Sequence, residues 1–329
     1  MTKFKKPIIT IITASWNREK FLKKLGDSLI DQTFQNFEWI IGNDGSEDNT
    51  DDIVKSIAQK ANFRIIYIKS SLRIGKSKMD NIMMNHVSGE YLTQCGSDDT
   101  LYKDSLEVLL NLIQRIPKNE KDKYIGVLAN SIDTNGKSQT YADDTKPIYY
   151  ENLYWEEVKK KIKGDGTILE QFKFLKDKKF LEVDFLISES SLLNKIYLNK
   201  KFILTNKVVK VMDRSAINSI SFGKKLRYCR GSAFCIAEEE TNLKFKEYSL
   251  LQKLKIILNF WRYTIHGDIN FLKAKKMLEP TNKNFFYTIV YPFSYLICIR
   301  DNILGKVEKT HIEFNKNIKN TTITLEHLN

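Results

Sequence analysis

Short runs of β-branched residues alternate with helical patterns over roughly the first 130 residues of this 329-residue chain. Each run has the pattern of a strand buried on both faces. The runs begin at Ile8, Trp39, Ile65 and Tyr124. Between them, apolar residues recur at helical spacing after Asp48 and again from Met79. The alternation predicts βαβ units, a mostly parallel sheet flanked by helices, and ligand binding at the carboxyl ends of the strands.

Polar clusters follow two of these predicted strands and a further strand-like run, 91–95. They are residues 13–18 after the first strand, 43–46 after the second, and 96–99 after the run 91–95. Carboxyl ends of parallel strands meet at one sheet edge, so we expect the clusters to lie together. A carboxylate after the second strand can accept the imide N–H of a uracil. An Asp pair in the third cluster can hold Mn²⁺ or Mg²⁺ against a diphosphate, because hard cations prefer oxygen ligands.

With these clusters the sequence resembles the family 2 glycosyltransferases of the GT-A fold, which are bacterial, inverting and dependent on nucleotide sugars. The resemblance covers residues 7–105 closely. Its segments are IITASWNR (11–18), SLIDQTFQNFEW (28–39), NDGSEDNT (43–50), Gly75-Lys76 with Asn81, and GEY leading into SDD (89–99). It implies a Rossmann-like α/β GT-A domain that transfers a hexose-type sugar with net inversion, using a UDP-sugar as donor and Mn²⁺ or Mg²⁺ as cofactor.

The resemblance also implies roles for particular residues. Asp44 is tied to the base, Asp98 lies near the ribose, and Asp99 is the direct metal ligand. The full set of implied donor-binding residues is Thr13, Ala14, Ser15, Asn17, Asp44, Lys76 and Asp98. For Lys76, a plain surface charge is the alternative to a donor contact.

Two positions depart from the family pattern. Asn43 stands where the family commonly has Asp, and Gly96 stands where the aspartate motif commonly begins. Asp44 and the pair Asp98-Asp99 are kept, so we interpret the site as competent. A non-catalytic module that binds sugar nucleotides or glycans on the same fold is the alternative.

The resemblance places the general base roughly 90 residues after the metal motif, at the end of a later strand. Glu189 has this spacing and follows the run 183–187, which we predict to be a strand. A partly desolvated carboxylate there could deprotonate the acceptor hydroxyl. Asp184 and Asp165 are the rival candidates, and each of the three can instead be an ordinary surface acid.

Cations near the leaving diphosphate would stabilise the transition state electrostatically. Besides Lys76, the cluster of Arg227, Tyr228 and Arg230 is a candidate for this role. Plain surface charges are the alternative for the two arginines.

The formal net charge of +13 belongs entirely to residues 111–329, because residues 1–110 contain 15 Lys/Arg and 15 Asp/Glu. Such a field attracts nucleic acid, phosphorylated ligands or an anionic membrane. No helix-turn-helix, zinc-finger, RRM or KH pattern occurs, so nucleic acid is not an expected partner. A basic nucleic-acid-binding protein remains as the alternative from another functional class.

The C-terminal region reads as helical, basic and aromatic. An apolar stripe runs from Leu250 to Trp261, and the apolar run 285–299 is interrupted by Pro292. That run is shorter than the about 20 residues of a spanning helix. It is suited to lying on an anionic membrane surface, or alternatively to packing as a helical subdomain.

We predict a GT-A domain over residues 1–243 and a helical C-terminal extension over 244–329. Within the domain, residues 1–130 form the nucleotide-binding half and 131–243 the acceptor and base half. Four scattered cysteines indicate neither a disulfide framework nor a zinc site. The first apolar stretch reads as a strand and not as a signal peptide. We expect a cytoplasmic enzyme, peripheral at the inner membrane face, acting on a glycan or polyprenyl-linked acceptor in capsule, O-antigen or lipooligosaccharide synthesis.

Overall fold

A computed structural model describes residues 4–140, 148–151, 165–215, 226, 228–238, 248–278, 284–308 and 321–329, without the side chains of 149–151 and 284–286. The chain divides into two compact units that are discontinuous in sequence. The first comprises Met1–Lys179, Ile196–Ser219 and Asn315–Asn329. The second comprises Phe180–Lys195 and Ile220–Phe314. The predicted division into domains at residue 243 stays a prediction.

The first unit contains the strands and the helices packed on them. In chain order its elements are β1 (Ile9–Ser15), α1 (Glu19–Ile30), β2 (Phe37–Asp44), α2 (Thr50–Ala58), β3 (Arg64–Ser70), α3 (Lys76–Met84), β4 (Tyr91–Gln94), β5 (Asp99–Leu101), α4 (Ser105–Gln114), β6 (Tyr124–Asp133), β7 (Ile148–Glu151), β8 (Thr167–Gln171), β9 (Lys201–Met212) and β10 (Ile323–Leu328). Helix α5 (Ser190–Tyr197) runs from the second unit into the first. The predicted alternation of strands and helices is confirmed.

The sheet has the order β10-β3-β2-β1-β4-β8-β6-β9-β5, with β7 paired to β9. Strands β3, β2, β1 and β4 run parallel to one another, and β6 runs parallel to β9. Strands β5, β7, β8 and β10 are antiparallel to theirs. Strands β1 and β2 are buried on both faces, which explains their continuous apolar sequence.

The register aligns the carboxyl ends of the central strands. Ser15 lies opposite Asn43, and Asp44 lies opposite Ser70. On the other side of β1, Ile12 lies opposite Gln94 of β4. The polar clusters that follow these strands therefore emerge on one edge of the sheet, as predicted.

The prediction of a strand over 183–187 is wrong. This segment has bend and irregular conformation with a single β-bridge at Phe185 and forms no strand, and its apolar residues pack within the second unit. The ring of Phe185 lies 5.2 Å from that of Phe234. A Cβ at Gly231 would lie 2.0 Å from the carbonyl oxygen of Leu186. The apolar run is thus explained by close packing on a helix and not by a sheet.

The second unit is helical, as predicted for the C-terminal region. Its further helices are α6 (Cys229–Cys235), α7 (Leu250–His266), α8 (Phe271–Met277), α9 (Asn284–Ile289) and α10 (Tyr291–Ile303). They enclose an aromatic core that includes the fully buried Phe260, Trp261 and Tyr287. Across the described ranges, no helix is both long and apolar enough to cross a bilayer.

Strand β10 was not predicted. It pairs antiparallel with β3 and forms the outer edge of the sheet next to it. The terminal Asn329 donates its side-chain amide to the carbonyls of Ala58 (3.0 Å) and Phe63 (3.3 Å). The last residues of the chain are therefore part of the first unit.

Candidate active site

The loops after β1 and β2 are joined by two hydrogen bonds at Asn17. Its backbone N–H donates to Ser46 Oγ at 3.0 Å, and its side-chain Oδ1 accepts from the N–H of Glu47 at 2.8 Å. Asn17 has a φ of 51°, a left-handed conformation in which Asn is enriched. The predicted clusters 13–18 and 43–46 thus lie side by side, and hydrogen bonds join the loops to which they belong.

The residues at the end of β1 differ in what they can offer a ligand. Thr13 is buried, and its hydroxyl accepts a hydrogen bond from Trp39 Nε1 at 3.0 Å. Ala14 is partly exposed. Ser15 is buried, and its Oγ has no hydrogen-bond partner in the part of the chain that the structure describes. Thr13 therefore positions β1 against β2, while Ser15 keeps a hydroxyl for another partner.

Asp44 ends β2 and holds the loop that begins α3. Its Oδ1 accepts from the N–H of Ile74 at 2.7 Å, and its Oδ2 accepts from the N–H of Gly75 at 3.0 Å. Burial raises the pKa of Asp44 to about 6, although these two amides act in the opposite direction. Near neutral pH the carboxylate is therefore ionised, and it is tied to backbone amides.

Lys76 is the first residue of α3 and follows Gly75, whose φ is 95°. Its ammonium lies 2.6 Å from Oδ2 of the buried Asp80, one helical turn further on. The loop 71–75 between β3 and α3 is thus held by the Asp44 carboxylate, and the Lys76–Asp80 ion pair lies in the first turns of the helix that follows.

The carboxylates of Asp98 and Asp99 have different surroundings. Asp99 is buried, and its Oδ2 lies 2.9 Å from the ammonium of the buried Lys210 on β9 and accepts from the Gly96 N–H at 2.9 Å. Asp98 is partly exposed, and across the described ranges no cation lies within ion-pair distance of its carboxylate. Burial, followed by the charge of Asp99, raises the pKa of Asp98. Asp98 is therefore the carboxylate of the pair that has no ion-pair partner among the described residues, although Arg18 and Lys210 act on it electrostatically.

Three cations near this edge were missed by the sequence analysis. Burial is the largest single influence on Lys210 and opposes its charge, but Asp99 and Cys95 act together with weaker influences to raise the pKa of the lysine. The buried Arg18 acts electrostatically on Asp98. The guanidinium of Arg73 lies 3.5 Å from the ring centre of Trp16. Arg18 belongs to the predicted cluster 13–18 but was given no role of its own, and Lys210 is a charge in the middle of the apolar run 208–212.

Both departures from the family pattern have local explanations. Asn43 is fully buried, and its Nδ2 donates to Asp51 Oδ1 at 3.1 Å and to the Tyr67 hydroxyl at 2.7 Å. An Asp at this position would set a second carboxylate against Asp51. At Gly96, a Cβ would lie 3.0 Å from carboxylate oxygens of both Asp98 and Asp99. The Asn therefore supplies a required donor, and the glycine leaves space beside the pair.

The candidates for the base lie in different surroundings. Glu189 belongs to the second unit and directly precedes α5, where its carbonyl accepts from the N–H groups of Leu192 and Leu193. It is partly exposed, as is Asp184. Asp165 lies in the first unit, where it is exposed and lies 2.9 Å from Arg214. The role of Glu189 as base stays a prediction.

The predicted cation cluster at 227–230 is described only in part. Arg227 lies outside the described residues. Arg230 donates from Nε to the carbonyl of Gly267 at 3.1 Å, and its guanidinium lies 5.7 Å from the ring centre of Phe185. Tyr228 directly precedes α6. These contacts make Arg230 part of the packing of the second unit.

Comparison with known proteins assigns the family. Residues 10–182 match the family model described as "Glycosyl transferase family 2", which is more than half of the chain. The chain belongs to glycosyltransferase family 2. The predicted family is confirmed, and the edge described above lies within the matched residues of the glycosyltransferase domain.

Two relatives come from Streptococcus pneumoniae. The glycosyltransferase GlyA is 33% identical over 146 residues, which are 44% of this chain and 20% of GlyA. The glycosyltransferase GlyG is 27% identical over 184 residues, which are 54% of this chain and 60% of GlyG. The chain thus matches less than two thirds of the length of either relative.

A solved structure supports the fold over nearly the whole chain. S. aureus TarS 1–349 in complex with UDP-GlcNAc superposes with a TM-score of 0.58 at 17% sequence identity, covering 94% of this chain and 97% of that one. At this identity the likeness shows the fold alone. The predicted GT-A fold is confirmed.

Proposed function

We propose that this protein is an inverting glycosyltransferase that transfers a sugar from a UDP-sugar to a surface glycan or a lipid-linked precursor. One observation carries the proposal: Asp44 ends β2 and Asp98 follows β4, the strands on either side of β1, at the carboxyl ends where parallel strands bind ligands. Family membership supports the reaction class. The bound UDP-GlcNAc of TarS, a neighbour in fold, supports a uridine donor.

Asp44 is the proposed acceptor for the imide N–H of the base. A carboxylate has about four lone-pair sites, so it can accept from a base as well as from the amides of Ile74 and Gly75. Trp16, against which Arg73 is stacked, follows Ser15 by one residue and offers an aromatic face near the same loops. These groups suit a planar base with an exposed N–H.

We propose Asp98 in place of Asp99 as the residue that would hold Mn²⁺ or Mg²⁺. Asp99 already has a buried ammonium as its counter-ion, whereas the charge of Asp98 is uncompensated by any described cation at ion-pair distance. The described residues contain no group of three His, Cys, Asp or Glu side chains that could hold a metal. One carboxylate, completed by phosphate and water oxygens, is the arrangement in which Mg²⁺ commonly binds. Such a cation, when bound, would offset negative charge on the diphosphate.

The chemistry assigned to this chain is a single displacement. Glu189 takes the proton of the acceptor hydroxyl, and that oxygen forms a bond to the anomeric carbon as the bond from this carbon to the diphosphate breaks. Attack from the face opposite the leaving group inverts the anomeric configuration. Asp44 and Ser15 orient the donor, and we assign to the basic Lys76 and Arg18 the electrostatic stabilisation of the anionic leaving group.

For the acceptor and location, we propose a polyprenyl-linked or surface glycan at the inner face of the cell membrane. The four free cysteines agree with a reducing compartment. The basic residues concentrated beyond position 110 agree with an anionic surface.

The test is a panel of UDP-, GDP- and CMP-sugars, each scored for thermal stabilisation and for donor hydrolysis with Mn²⁺ and with EDTA. We expect one UDP-sugar to stabilise the protein in a metal-dependent way. Asp98→Asn should abolish the metal dependence, because it removes the carboxylate proposed to hold the metal. Glu189→Gln should keep donor binding but lower transfer by about 10²-fold or more, as for loss of a general base.

Other outcomes would contradict the proposal. Stabilisation by no nucleotide sugar would refute a donor site. Binding without turnover, unchanged in Glu189→Gln, would support the non-catalytic module. If Asp99→Asn abolished the metal dependence while Asp98→Asn preserved it, Asp99 would be the metal ligand, as the family resemblance implies.

A further inference from the structure

Helix α10 buries a polar side and exposes an apolar side, which is the opposite of a surface helix in a typical globular domain. The side that it buries carries Ser294, Cys298 and Asp301, and the carboxylate of Asp301 is completely buried. The opposite side is exposed and apolar. Its members, here called the α10 outer face, are Phe293, Tyr295, Leu296, Ile299 and Ile303.

Hydrogen bonds to α7 fix this orientation. Ser294 Oγ donates to the carbonyl of Leu258 at 3.1 Å, and Arg262 Nε donates to Asp301 Oδ2 at 2.5 Å. Rotating α10 to bury its outer face would expose or break this buried ion pair, which is costly. The apolar outer face is therefore a consequence of specific polar packing.

The exposure of the outer face is extensive. Phe293 and Leu296 are each 63% exposed, and Ile303 is 79% exposed. In the same unit, Leu250 and Leu251 at the start of α7 are 82% and 79% exposed. Isolated exposed apolar residues are ordinary, but a contiguous apolar helix side marks an interaction surface.

The surrounding charge indicates the partner. Residues 250–308 contain nine Lys or Arg and four Asp or Glu. Arg300 belongs to α10 and is largely exposed beside the outer face. Exposed Lys273, Lys275 and Lys276 occupy α8. Helix α8 contacts α10 through the rings of Phe271 and Tyr291, whose centres lie 5.0 Å apart. An exposed apolar helix side together with basic residues on the same and on an adjoining helix matches the acyl and headgroup layers of an anionic bilayer.

We propose that the α10 outer face docks this protein on an anionic lipid bilayer. Helix α10 has 13 residues, about 20 Å at 1.5 Å per residue, so it lies in the interface and does not cross the core of about 30 Å. A second copy is the disfavoured occupant, because self-association of this face would bring equivalent basic groups together. The proposed docking requires neither a donor nor catalysis, so it can fail while the proposed sugar transfer stands.

The test is co-sedimentation of the full chain with phosphatidylcholine vesicles, with and without about 30% phosphatidylglycerol. We expect binding to the anionic vesicles, weakened by salt. Leu296→Glu with Ile299→Glu should lower the bound fraction about tenfold or more, because two apolar contacts are replaced by acids. Lys273→Gln with Lys276→Gln should weaken binding to anionic vesicles specifically.

A matched control replaces exposed apolar residues elsewhere. Ile323→Glu with Leu325→Glu alters side chains of β10 that are 40% and 38% exposed, and this variant should bind vesicles as the wild type does. Thermal unfolding establishes that both variants fold. Equal losses in both variants, equal binding to neutral vesicles, or no vesicle binding would overturn the proposal. A dimer in sedimentation velocity that the α10 variant dissociates would identify a second copy as the occupant.

Discussion

At the residue scale, the pair of Lys210 and Asp99 holds the loop that presents Asp98. Both side chains are almost fully buried, and Asp99 also accepts from the Gly96 N–H. Each of these residues stands in a segment with a recognisable sequence pattern, but no local pattern indicates that Lys210 and Asp99 form an ion pair. The strands β5 and β9 that bring them together are more than 100 residues apart in the chain.

Replacing Lys210 by Met should destabilise the fold by about 3–5 kcal/mol, because it leaves the Asp99 charge buried without its partner. Urea unfolding measures the difference. The control is Lys207→Met on the same strand, since the Lys207–Asp104 pair is about half exposed on both sides and is expected to contribute under about 1 kcal/mol. Equal small losses in the two variants would argue against a buried ionic contact at Lys210.

Asp44 should make donor binding depend on pH. Its pKa is raised to about 6. Below that pH most molecules carry a proton on Asp44, which weakens its acceptance of the imide N–H of the uracil. Above that pH the carboxylate is ionised and can accept this hydrogen bond. We expect the affinity for the stabilising UDP-sugar to fall as the pH is lowered from about 7.5 to about 5, by at most tenfold per pH unit. Calorimetry with the UDP-sugar is suitable because its diphosphate remains ionised over this range.

The Asp44→Asn variant provides the comparison. Since an amide does not titrate, its affinity should be weaker at neutral pH and nearly constant across the same range. An equally steep pH dependence in this variant would assign the titration to another group.

At the element scale, the strands and helices that could be predicted are those with a clear local hydrophobic pattern. Strands β1 to β4 and helices α2 and α3 follow from hydrophobic periodicity, and the clusters at the strand ends follow from parallel topology. The segment 183–187 misled because a short apolar run has the same sequence signature whether it packs in a sheet or on a helix. Its packing against Gly231 depends on a partner more than 40 residues away.

Strand β10 and helix α10 show the same limit. The partner of β10 is β3, some 250 residues earlier, so no local pattern could indicate the pairing. The apolar run 285–299 was predicted to belong to a helical region, but the side that faces outward is set by the buried contact of Asp301 with Arg262. Only the tertiary structure reveals that the polar side is the inner one.

At the scale of the whole molecule, the free energy of unfolding should depend on pH through Glu170, a buried acid that the proposed chemistry does not use. Glu170 on β8 is buried, and its Oε1 accepts from the Tyr197 hydroxyl at 2.8 Å. Its Oε2 has no hydrogen-bond partner within the part of the chain that the structure describes. Burial raises the pKa of Glu170 to about 7 from an ordinary value near 4.5.

The sign of the pH dependence follows from this shift. Between about pH 4.5 and 7 the folded state retains the Glu170 proton that the unfolded state has lost, so the free energy of unfolding falls as the pH rises through this window. The resulting decrease in the free energy of unfolding is on the order of 3 kcal/mol and is complete above about pH 7.

Glu170→Gln removes the ionisation and keeps an oxygen for Tyr197, so it should stabilise the protein at about pH 8 and have little effect at about pH 5. Denaturant unfolding at both pH values measures this, with the more exposed Glu90→Gln as control. If the Glu170→Gln difference is the same at both pH values, Glu170 is already ionised in the folded protein.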